Sequence, residues 1–396
     1  MEARYRYLNE LITKNKINFP DVPSDSWINP YSFEEYKEKR QQLLEAFHNT
    51  FLFNETKPYY NHISEGCRIC GEGGWSCLFI TGKCNASCFY CPASQNQDFI
   101  PSTQNLEFES PEAYAEYIQY FDFKAASFSG GEPLLVFDRT LSYLRELRKK
   151  VSPGLYVWLY TNGILADKNK LPKLADDGLD EIRFDIGATD YKLDKVLLAK
   201  GILNNITIEI PAIPEKKELI KTLLPEMIKA GVKNLNLHQL RLTTYNMKKL
   251  LKHDYKYFAD EKPVVPDSEL AALEIMNYAK KNSLNIGINY CSFSFKNRFQ
   301  QAGYRKILSN KAEVDKTKIT ENGYLRNHQD NILKYEQITL GDKVPPSINQ
   351  PLKLLHKTYY FSKLPGTNIG IPDFLRSLYK SIIMEVNNPW NPSNID

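Results

Sequence analysis

The feature that most constrains the fold is a regular alternation of strand and helix patterns between residues 76 and 290. Short apolar runs of strand type recur there, and amphipathic helical patterns lie between them. Repeated strand-then-helix units predict parallel strands joined by right-handed crossovers. The strand candidates are residues 76–81, 125–129, 155–161, 181–187, 206–212, 234–240 and 284–290. The pattern therefore predicts an α/β fold with a partial (β/α)6 barrel of the TIM type.

Two flanking regions do not follow this alternation. Residues 1–64 are interpreted as an N-terminal helical extension, because residues 32–53 carry apolar positions at helical spacing. Residues 65–300 form the predicted barrel. Residues 301–396 are interpreted as a C-terminal α+β extension with a hairpin at Asn322–Gly323, since Asn-Gly is the dipeptide most typical of a two-residue hairpin turn. The chain is thus divided into three predicted regions.

Composition adds broad limits. Of the 396 residues, 42% are hydrophobic and 25% are charged, which is typical of a soluble globular protein. The formal net charge of +4 is spread along the chain, so it neither requires nor excludes a nucleic-acid partner. No apolar run approaches the roughly 20 residues that span a bilayer, and the first residues lack the pattern of a secretory signal. We expect a cytoplasmic protein with reduced thiols and no membrane partner.

Six of the seven cysteines lie between residues 67 and 91, and such crowding in a reducing compartment indicates metal ligation. Cys84, Cys88 and Cys91 follow the first predicted strand as C-x3-C-x2-C. Functional loops of α/β barrels lie at the carboxyl ends of the strands. Three thiolates supply three corners of a [4Fe–4S] cluster and leave one iron open to chelate a cofactor. The alternative is a zinc site or a set of reduced core thiols.

This triplet, with Tyr90 before its last cysteine, resembles the radical SAM superfamily. The motifs SFSGGEP (127–133), YTNG (160–163) and EIRFDIG (181–187) follow in the family's order. The resemblance implies an enzyme that cleaves S-adenosylmethionine (SAM) reductively at the open iron. The products would be methionine and a 5′-deoxyadenosyl radical, which abstracts hydrogen from a substrate. The resemblance also implies an electron donor such as flavodoxin or ferredoxin.

The resemblance further implies which residues bind SAM, although no catalytic residue is identified. The Gly-Gly-Glu run corresponds to the motif for the methionine amino group, because a carboxylate suits an ammonium. The other positions correspond to groups near the ribose, the carboxylate and the adenine. The full set is Tyr90, Gly130, Gly131, Glu132, Thr161, Asn162, Arg183, Asp185 and Glu209. Alternatively, Asn162–Gly163 is only a turn and Arg183 pairs with Asp185. His238 either points towards substrate or is a satisfied core histidine.

A narrower resemblance rests on GCRICGEGGWSCLFITGKCNASCFYCP (66–92) and YCSFSFKNRFQQAGYRK (290–306). These segments are similar to a mainly archaeal radical SAM group related to pyruvate formate-lyase activating enzymes. That relationship implies a protein or peptide substrate. RNA modification and small-molecule biosynthesis stay open, and the lack of a basic stripe disfavours RNA. A rival of another class is a non-catalytic iron–sulfur electron carrier, which would require four clustered ligands.

The other four cysteines suggest a second metal site. Cys67, Cys70 and Cys77 form C-x2-C-x6-C before the first strand, and a C-x2-C turn offers two thiolates to a metal. Cys291, at the end of the seventh strand candidate, or His62 would complete the shell around a second metal or cluster. The alternatives are buried core thiols, or a role for Cys291 as a hydrogen-atom donor to a substrate radical.

Overall fold

A computed structural model of the chain describes residues 2–28, 33–47, 51–54, 56–104, 106–260 and 262–311, with three short strands beyond. Helices alternate with strands through the central part, as the apolar patterns predict. The helices are α1 (Glu2–Asn18), α2 (Glu34–Glu45), α3 (Glu65–Glu72), α4 (Pro111–Tyr120), α5 (Phe137–Lys150), α6 (Lys170–Asp176), α7 (Asp194–Leu197), α8 (Lys217–Lys229), α9 (Met247–Leu250), α10 (Pro266–Lys281), α11 (Phe293–Phe295) and α12 (Ala302–Lys311).

One mixed sheet contains eleven of the strands, in the order β2-β3-β13-β11-β10-β9-β8-β7-β4-β5-β6. A parallel pair, β1-β12, and a three-stranded group, β14-β16-β15, are separate from it. The strands are β1 (Trp27–Ile28), β2 (Phe51–Leu52), β3 (Lys57–Tyr60), β4 (Trp75–Thr81), β5 (Ser102–Thr103), β6 (Leu106–Glu107), β7 (Ala125–Gly130), β8 (Tyr156–Thr161), β9 (Glu181–Phe184), β10 (Asn205–Pro211), β11 (Val232–His238), β12 (Tyr257–Phe258), β13 (Gly287–Cys291), β14 (Leu325–Arg326), β15 (Tyr335–Ile338) and β16 (Leu352–Lys357).

The predicted α/β partial barrel is confirmed, with one difference in the number of strands. From β4 to β13, seven neighbouring strands are parallel and follow chain order, rather than six. Antiparallel strands continue the sheet at both ends, with β5 beside β4 and β3 beside β13. Because β2 and β6 stand at opposite ends of the strand order, the sheet stays open among the described residues.

The seven strands agree with the predicted segments to within a few residues, and one of the two largest differences has a local cause. The fourth strand was expected to reach residue 187, but β9 ends at Phe184. Asp185 then accepts a hydrogen bond from the backbone N–H of Gly187, which starts a helical turn in place of further strand. A short polar side chain that bonds to a nearby backbone group competes with the sheet ladder in this way.

Helix α3 lies inside the curve of the sheet. A Cβ atom on Gly66 would lie 2.4 Å from an Arg183 guanidinium nitrogen and 2.8 Å from a Glu181 carboxylate oxygen, so only glycine allows this approach. On the other side of α3, the Cys67 sulfur lies 3.9 Å from Asn289 on β13. Contact with strands from both halves of the sheet shows that the sheet curls around this helix. The concave face therefore encloses polar and thiol groups.

The flanking regions agree only in part with the expectations. Residues 1–64 contain two helices, but they also supply β3, which pairs with the last parallel strand. The hairpin expected at Asn322–Gly323 lies outside the described residues, as does most of the C-terminal extension. The three domain boundaries stay predictions. Among the described residues, no helix combines the length and apolar character that crossing a membrane requires.

Candidate active site

Cys84, Cys88 and Cys91 lie in the loop that follows β4, here called the cysteine loop and defined as residues 82–97. All three are half-buried free thiols. The loop is closed by a hydrogen bond from the Cys84 N–H to the Gln95 carbonyl at 3.0 Å, and the Cys91 N–H donates to the Cys88 carbonyl at 3.3 Å. The register between β4 and β7 shifts at Phe79/Thr81, just before the loop. Such irregularities re-aim the chain next to active sites.

The electrostatics of this loop suit a bound cation. Burial, the charge of Asp185 and the neighbouring thiols together raise the pKa of Cys88 to about 12. Burial also raises the pKa of Cys91. Positive iron favours the thiolate form of its ligands. As the side chains stand, no set of three or more Cys, His, Asp or Glu groups in the described part of the chain is arranged to hold a metal. The ligand role of the triplet therefore stays a prediction, supported by its free thiols.

The two glycines of SFSGGEP bring the end of β7 against the start of the cysteine loop. Gly130 has a φ of +116°, and a Cβ there would lie 2.2 Å from the Thr81 carbonyl oxygen. A Cβ on Gly131 would lie 2.0 Å from the Lys83 carbonyl oxygen. The Gly131 N–H donates to the Thr81 carbonyl and the Glu132 N–H to the Lys83 carbonyl, each at 2.7 Å. These glycines are therefore needed to position the loop, whatever part they take in SAM binding.

Glu132 is fully buried and links two strand ends. Its carboxylate accepts hydrogen bonds from the Leu134 N–H at 2.9 Å, the Thr161 hydroxyl at 2.8 Å and the Asn162 N–H at 2.7 Å. Burial raises the pKa of Glu132 to about 7, although these donors oppose the rise. The side chain thus joins β7 to the turn after β8. Its predicted contact with a methionine amino group stays untested, and the observed bonds give it a positioning role.

Asn162 connects that turn to the cysteine loop. Its side-chain NH2 group donates to the side-chain oxygen Oδ1 of Asn85 at 2.7 Å and lies 3.6 Å from the Cys84 sulfur. The side-chain oxygen Oδ1 of Asn162 accepts from the Ile164 N–H at 3.0 Å, so Asn162–Gly163 is a turn as well. The two interpretations of this dipeptide are therefore compatible, because one side chain both forms the turn and contacts the cysteine loop.

Asp185 and Tyr90 meet at the end of β9. The Tyr90 hydroxyl donates to Asp185 at 2.8 Å. Burial raises the pKa of Asp185 to about 6, although this bond and the Gly187 N–H oppose the rise. Tyr90 thus contacts the residue that follows β9, and its predicted part in SAM binding stays a prediction. The contact ties the cysteine loop to a second strand end.

Arg183 does not reach the mouth of the barrel, where SAM contacts were expected. Its guanidinium is 3% exposed as a side chain and bonds Glu209 at 2.7 Å and Glu181 at 3.0 Å. The alternative prediction, that Arg183 pairs with Asp185, is therefore wrong. The Arg183 guanidinium also lies 4.5 Å from the Trp158 ring centroid. Burial works to raise the pKa of Glu209, but the Arg183 charge holds that pKa well below its usual range. Arg183 and Glu209 form a buried ion pair below the predicted SAM site.

His238 lies at the end of β11 above this ion pair. Its Nε2 lies 2.8 Å from a Glu209 oxygen, and its Nδ1 lies 3.4 Å from the Lys296 ammonium nitrogen. Burial lowers the pKa of His238, and the Lys296 charge lowers it further. A neutral ring that donates from Nε2 and accepts at Nδ1 satisfies both contacts. His238 is hydrogen-bonded, as a satisfied core histidine would be, and it is also partly exposed, as a histidine that points towards substrate would be.

The long joint between β11 and α10 packs over the cysteine loop. The Asn246 amide donates to the Tyr90 carbonyl at 3.1 Å. The Lys249 ammonium donates to the Ser87 and Cys88 carbonyls at 3.3 and 3.2 Å. Neither residue was singled out from sequence. The unusual length of the segment between residues 242 and 266 was the available signal, because long loops in compact domains are often functional.

Three of the four remaining cysteines meet inside the barrel; Cys67, Cys70 and Cys291 are here called the inner thiol group. The buried Lys57 ammonium donates to the Cys291 sulfur at 2.7 Å. Gln300 donates to the Cys70 sulfur at 3.1 Å. Burial works to lower the pKa of Lys57, but the Cys291 and Cys67 sulfurs raise it above its ordinary value. Nothing in the sequence around Lys57 indicated this contact, which depends on the pairing of β3 with β13.

The two other proposed ligands of a second metal are less well placed. Cys77 is on β4, where burial raises its pKa to about 11 and the hydroxyls of Ser127 and Ser129 hydrogen-bond its sulfur. His62 is exposed after β3. The structure therefore brings together three of the four cysteines, and adds a lysine that the sequence did not identify. A second metal or cluster stays a prediction.

Comparison with known proteins agrees with the chemistry of this site. The model of the radical SAM superfamily matches residues 78–247. A protein of Methanocaldococcus jannaschii with the provisional name glycyl-radical enzyme activating enzyme is 31% identical over 283 residues, covering 67% of this chain and 73% of that protein. A GTP 3′,8-cyclase of Aquifex aeolicus is 28% identical over 126 residues, covering 32% of this chain and 38% of its own length.

Among solved structures, SuiB of Streptococcus suis bound to the precursor peptide SuiA is similar, with a TM-score of 0.44 and 14% identity. That match covers 67% of this chain and 54% of SuiB. The family match spans the cysteine loop and the strand ends around it, and the M. jannaschii relative extends the similarity to two thirds of the chain. The non-catalytic electron carrier is thereby set aside. This chain is an enzyme of the radical SAM superfamily, whose members use SAM and a [4Fe–4S] cluster.

Proposed function

We propose that this enzyme binds a [4Fe–4S] cluster through Cys84, Cys88 and Cys91 and uses SAM to abstract hydrogen from a protein or peptide. The observation that carries the proposal is the position of the triplet, in a loop at the carboxyl end of β4 within the region that matches the family model. When bound, the cluster supplies the electron that cleaves SAM to methionine and a 5′-deoxyadenosyl radical.

The protein's own residues would hold and shield this reaction. Glu132 and Asn162 fix the cysteine loop against two neighbouring strand ends. Tyr90 and Asp185 fix it against a third. Lys249, from the joint above, covers the loop through its carbonyls. A rigid surround of this kind positions a bound cofactor and excludes water, which is the protein's part in cofactor chemistry.

A protein or peptide substrate is favoured by the relatives. The M. jannaschii protein has a name that denotes an enzyme acting on another enzyme, and it matches most of its own length. The GTP cyclase of A. aeolicus matches only about a third of this chain, so it gives less support to a nucleotide substrate. An open sheet edge also leaves room for a large substrate to reach the mouth of the barrel.

The decisive experiment replaces Cys84, Cys88 and Cys91 with Ala in anaerobically reconstituted protein. We expect loss of the cluster's absorbance and of all 5′-deoxyadenosine formation from SAM and dithionite. The control is Ser87→Ala, which changes an exposed side chain of the same loop and keeps its carbonyl. It should retain both properties. Formation of 5′-deoxyadenosine by the triple variant would refute the proposal.

A further inference from the structure

Two cationic side chains flank the ring of Phe293 at the mouth of the barrel. The Arg241 guanidinium carbon lies 5.2 Å from the ring centroid, and the Lys296 ammonium nitrogen lies 5.0 Å from it. Arg241 follows β11, whereas Phe293 and Lys296 follow β13, the neighbouring strand. Both side chains are half-buried, so two positive charges share one partly enclosed corner.

Neither cation has an acidic partner in the described part of the chain, where no ion pair includes Arg241 or Lys296. Among the described residues, the Arg241 guanidinium donates no hydrogen bond, and the Lys296 ammonium contacts the Phe293 ring and lies 3.4 Å from His238 Nδ1. The carboxylate below them, on Glu209, already accepts from Arg183 and His238. A partly exposed guanidinium without an ion-pair partner in the described part of the chain therefore shares the Phe293 ring with an ammonium.

This arrangement is costly for the free protein. Burial lowers the pKa of Arg241. Burial also lowers the pKa of Lys296, and the Arg241 charge lowers it further, although nearby sulfur and carboxylate groups oppose this. Charged groups that lose water without gaining a partner destabilise a fold. A ligand anion would satisfy both, and the planar fork of arginine matches the two oxygens of a carboxylate.

The location relates this corner to the reaction site. The Asn246 amide donates both to the Arg241 carbonyl at 3.0 Å and to the Tyr90 carbonyl at 3.1 Å, so the corner borders the cysteine loop. It lies on the β11 and β13 side of the sheet, whereas SFSGGEP lies at the end of β7, four strands from β11. The predicted position of the methionine part of SAM is therefore at a different set of strand ends.

We propose that Arg241 and Lys296 bind a carboxylate of the substrate between them, beside Phe293. This inference rests on the proposed function, because it takes the peptide to enter at the mouth of the barrel. The carboxylate belongs either to an acidic side chain or to a peptide C-terminus. In both cases two charge-assisted contacts would hold the substrate next to the cysteine loop.

Binding of short peptides to the reconstituted holoenzyme with SAM tests the proposal, measured anaerobically by saturation-transfer NMR. The probes are acetyl-Gly-Gly-Glu-Gly-Gly-amide, acetyl-pentaglycine with a free carboxylate, and acetyl-Gly-Gly-Gln-Gly-Gly-amide. We expect at least one acidic probe to bind about tenfold more tightly than the neutral one, and the better acidic probe identifies the source of the carboxylate. Arg241→Met and Lys296→Met should each weaken acidic binding about tenfold or more.

Lys233→Met is the matched control, because Lys233 is an exposed cation at the start of β11. It should leave the acidic preference unchanged, and Arg241→Lys should retain part of it. Equal binding of all three probes, or unaltered acidic binding in both Met variants, would overturn the proposal. So would a loss of SAM affinity in those variants with peptide binding unaltered. Absence of 5′-deoxyadenosine in the wild type, with the acidic preference intact, would refute the proposed function alone.

Discussion

The cysteine loop and the inner thiol group each contain three cysteines, but their surroundings differ. The loop cysteines are half-buried, lie within eight residues of one another and follow a strand end. Cys67 and Cys291 are buried and lie more than 200 residues apart in the chain. The loop cysteines are brought together by their spacing in the chain, whereas the inner group depends on the packing of α3 against β13.

The contacts of the two groups differ as well. In the inner group, Cys291 is hydrogen-bonded to a buried ammonium, and Cys70 to an amide. An ammonium beside a sulfur satisfies that sulfur without a metal and repels a second cation. In the cysteine loop, the sulfurs contact backbone groups, the Asn162 amide and the Tyr90 hydroxyl, and no hydrogen bond joins them to a cation among the described residues. The two groups of thiols thus differ in the charge of their neighbours, although both are crowded.

The largest expected effect is a difference in iron content between single substitutions in the cysteine loop and in the inner thiol group. Cys88→Ala should remove most of the iron of the reconstituted enzyme, because one cluster corner is lost. Cys291→Ala should retain it, since its sulfur already has the Lys57 ammonium as a partner. Iron content and the absorbance of the cluster measure both. Loss of iron in Cys291→Ala would mean that the inner thiol group holds a second cluster, as the C-x2-C spacing suggested.

A second prediction concerns the carboxylate that braces the cysteine loop. Burial gives Glu132 a pKa of about 7 in the fold, above its ordinary value of 4.5. Between pH 4.5 and about pH 7, the folded state therefore holds a proton on Glu132 that the unfolded state has released. Stability from this group is present below pH 4.5 and is lost as the pH rises to about 7, by up to about 3 kcal/mol. Urea unfolding of the apoprotein between pH 5 and 8 should show this fall.

Glu132→Gln should remove this fall with pH. The carbonyl oxygen of Gln can replace only one of the two carboxylate oxygens, and an NH2 group in the place of the other cannot accept from the Asn162 N–H. The variant should therefore be less stable near pH 5, while its unfolding free energy varies less with pH. Asp176→Asn, an exposed acid on α6, is the control and should keep the wild-type pH dependence. An identical slope in Glu132→Gln and wild type would show that Glu132 is ionised throughout this range.

The smallest expected effect is the coupling between Lys57 and Cys291. Cys291→Ala leaves the Lys57 ammonium buried, 4.4 Å from the Phe295 ring centroid, and should destabilise the apoprotein by about 2 kcal/mol. Adding Lys57→Met should restore part of that loss, which gives a coupling of about 1 kcal/mol in a double-mutant cycle. Cys77→Ala combined with Lys57→Met serves as the uncoupled control, because Cys77 bonds to serines. Strictly additive effects for Lys57 and Cys291 would mean that their contact does not stabilise the fold.

Much of the fold and of the cysteine loop was predictable because the relevant signals are local. Apolar runs alternating with amphipathic helices indicate strands and helices, and the observed parallel strands agree with the predicted segments. The loop cysteines are close in sequence, so their spacing alone places them together. The glycines Gly130 and Gly131 were also recognisable, although the structure shows that they serve close backbone approach to the loop.

The sequence by itself determined the class of fold, the family and the three cysteines of the loop, because each depends on residues near one another in the chain. Only the tertiary structure decided the partners of the charged groups. Arg183 pairs with Glu181 and Glu209 rather than Asp185, because neighbouring parallel strands place these side chains on the same face of the sheet. Lys57 meets Cys291, and Arg241 meets Lys296 across Phe293, through strand pairings that spacing does not encode. Electrostatic partners depend on distance in space, and distance in space is set by the packing of the whole barrel.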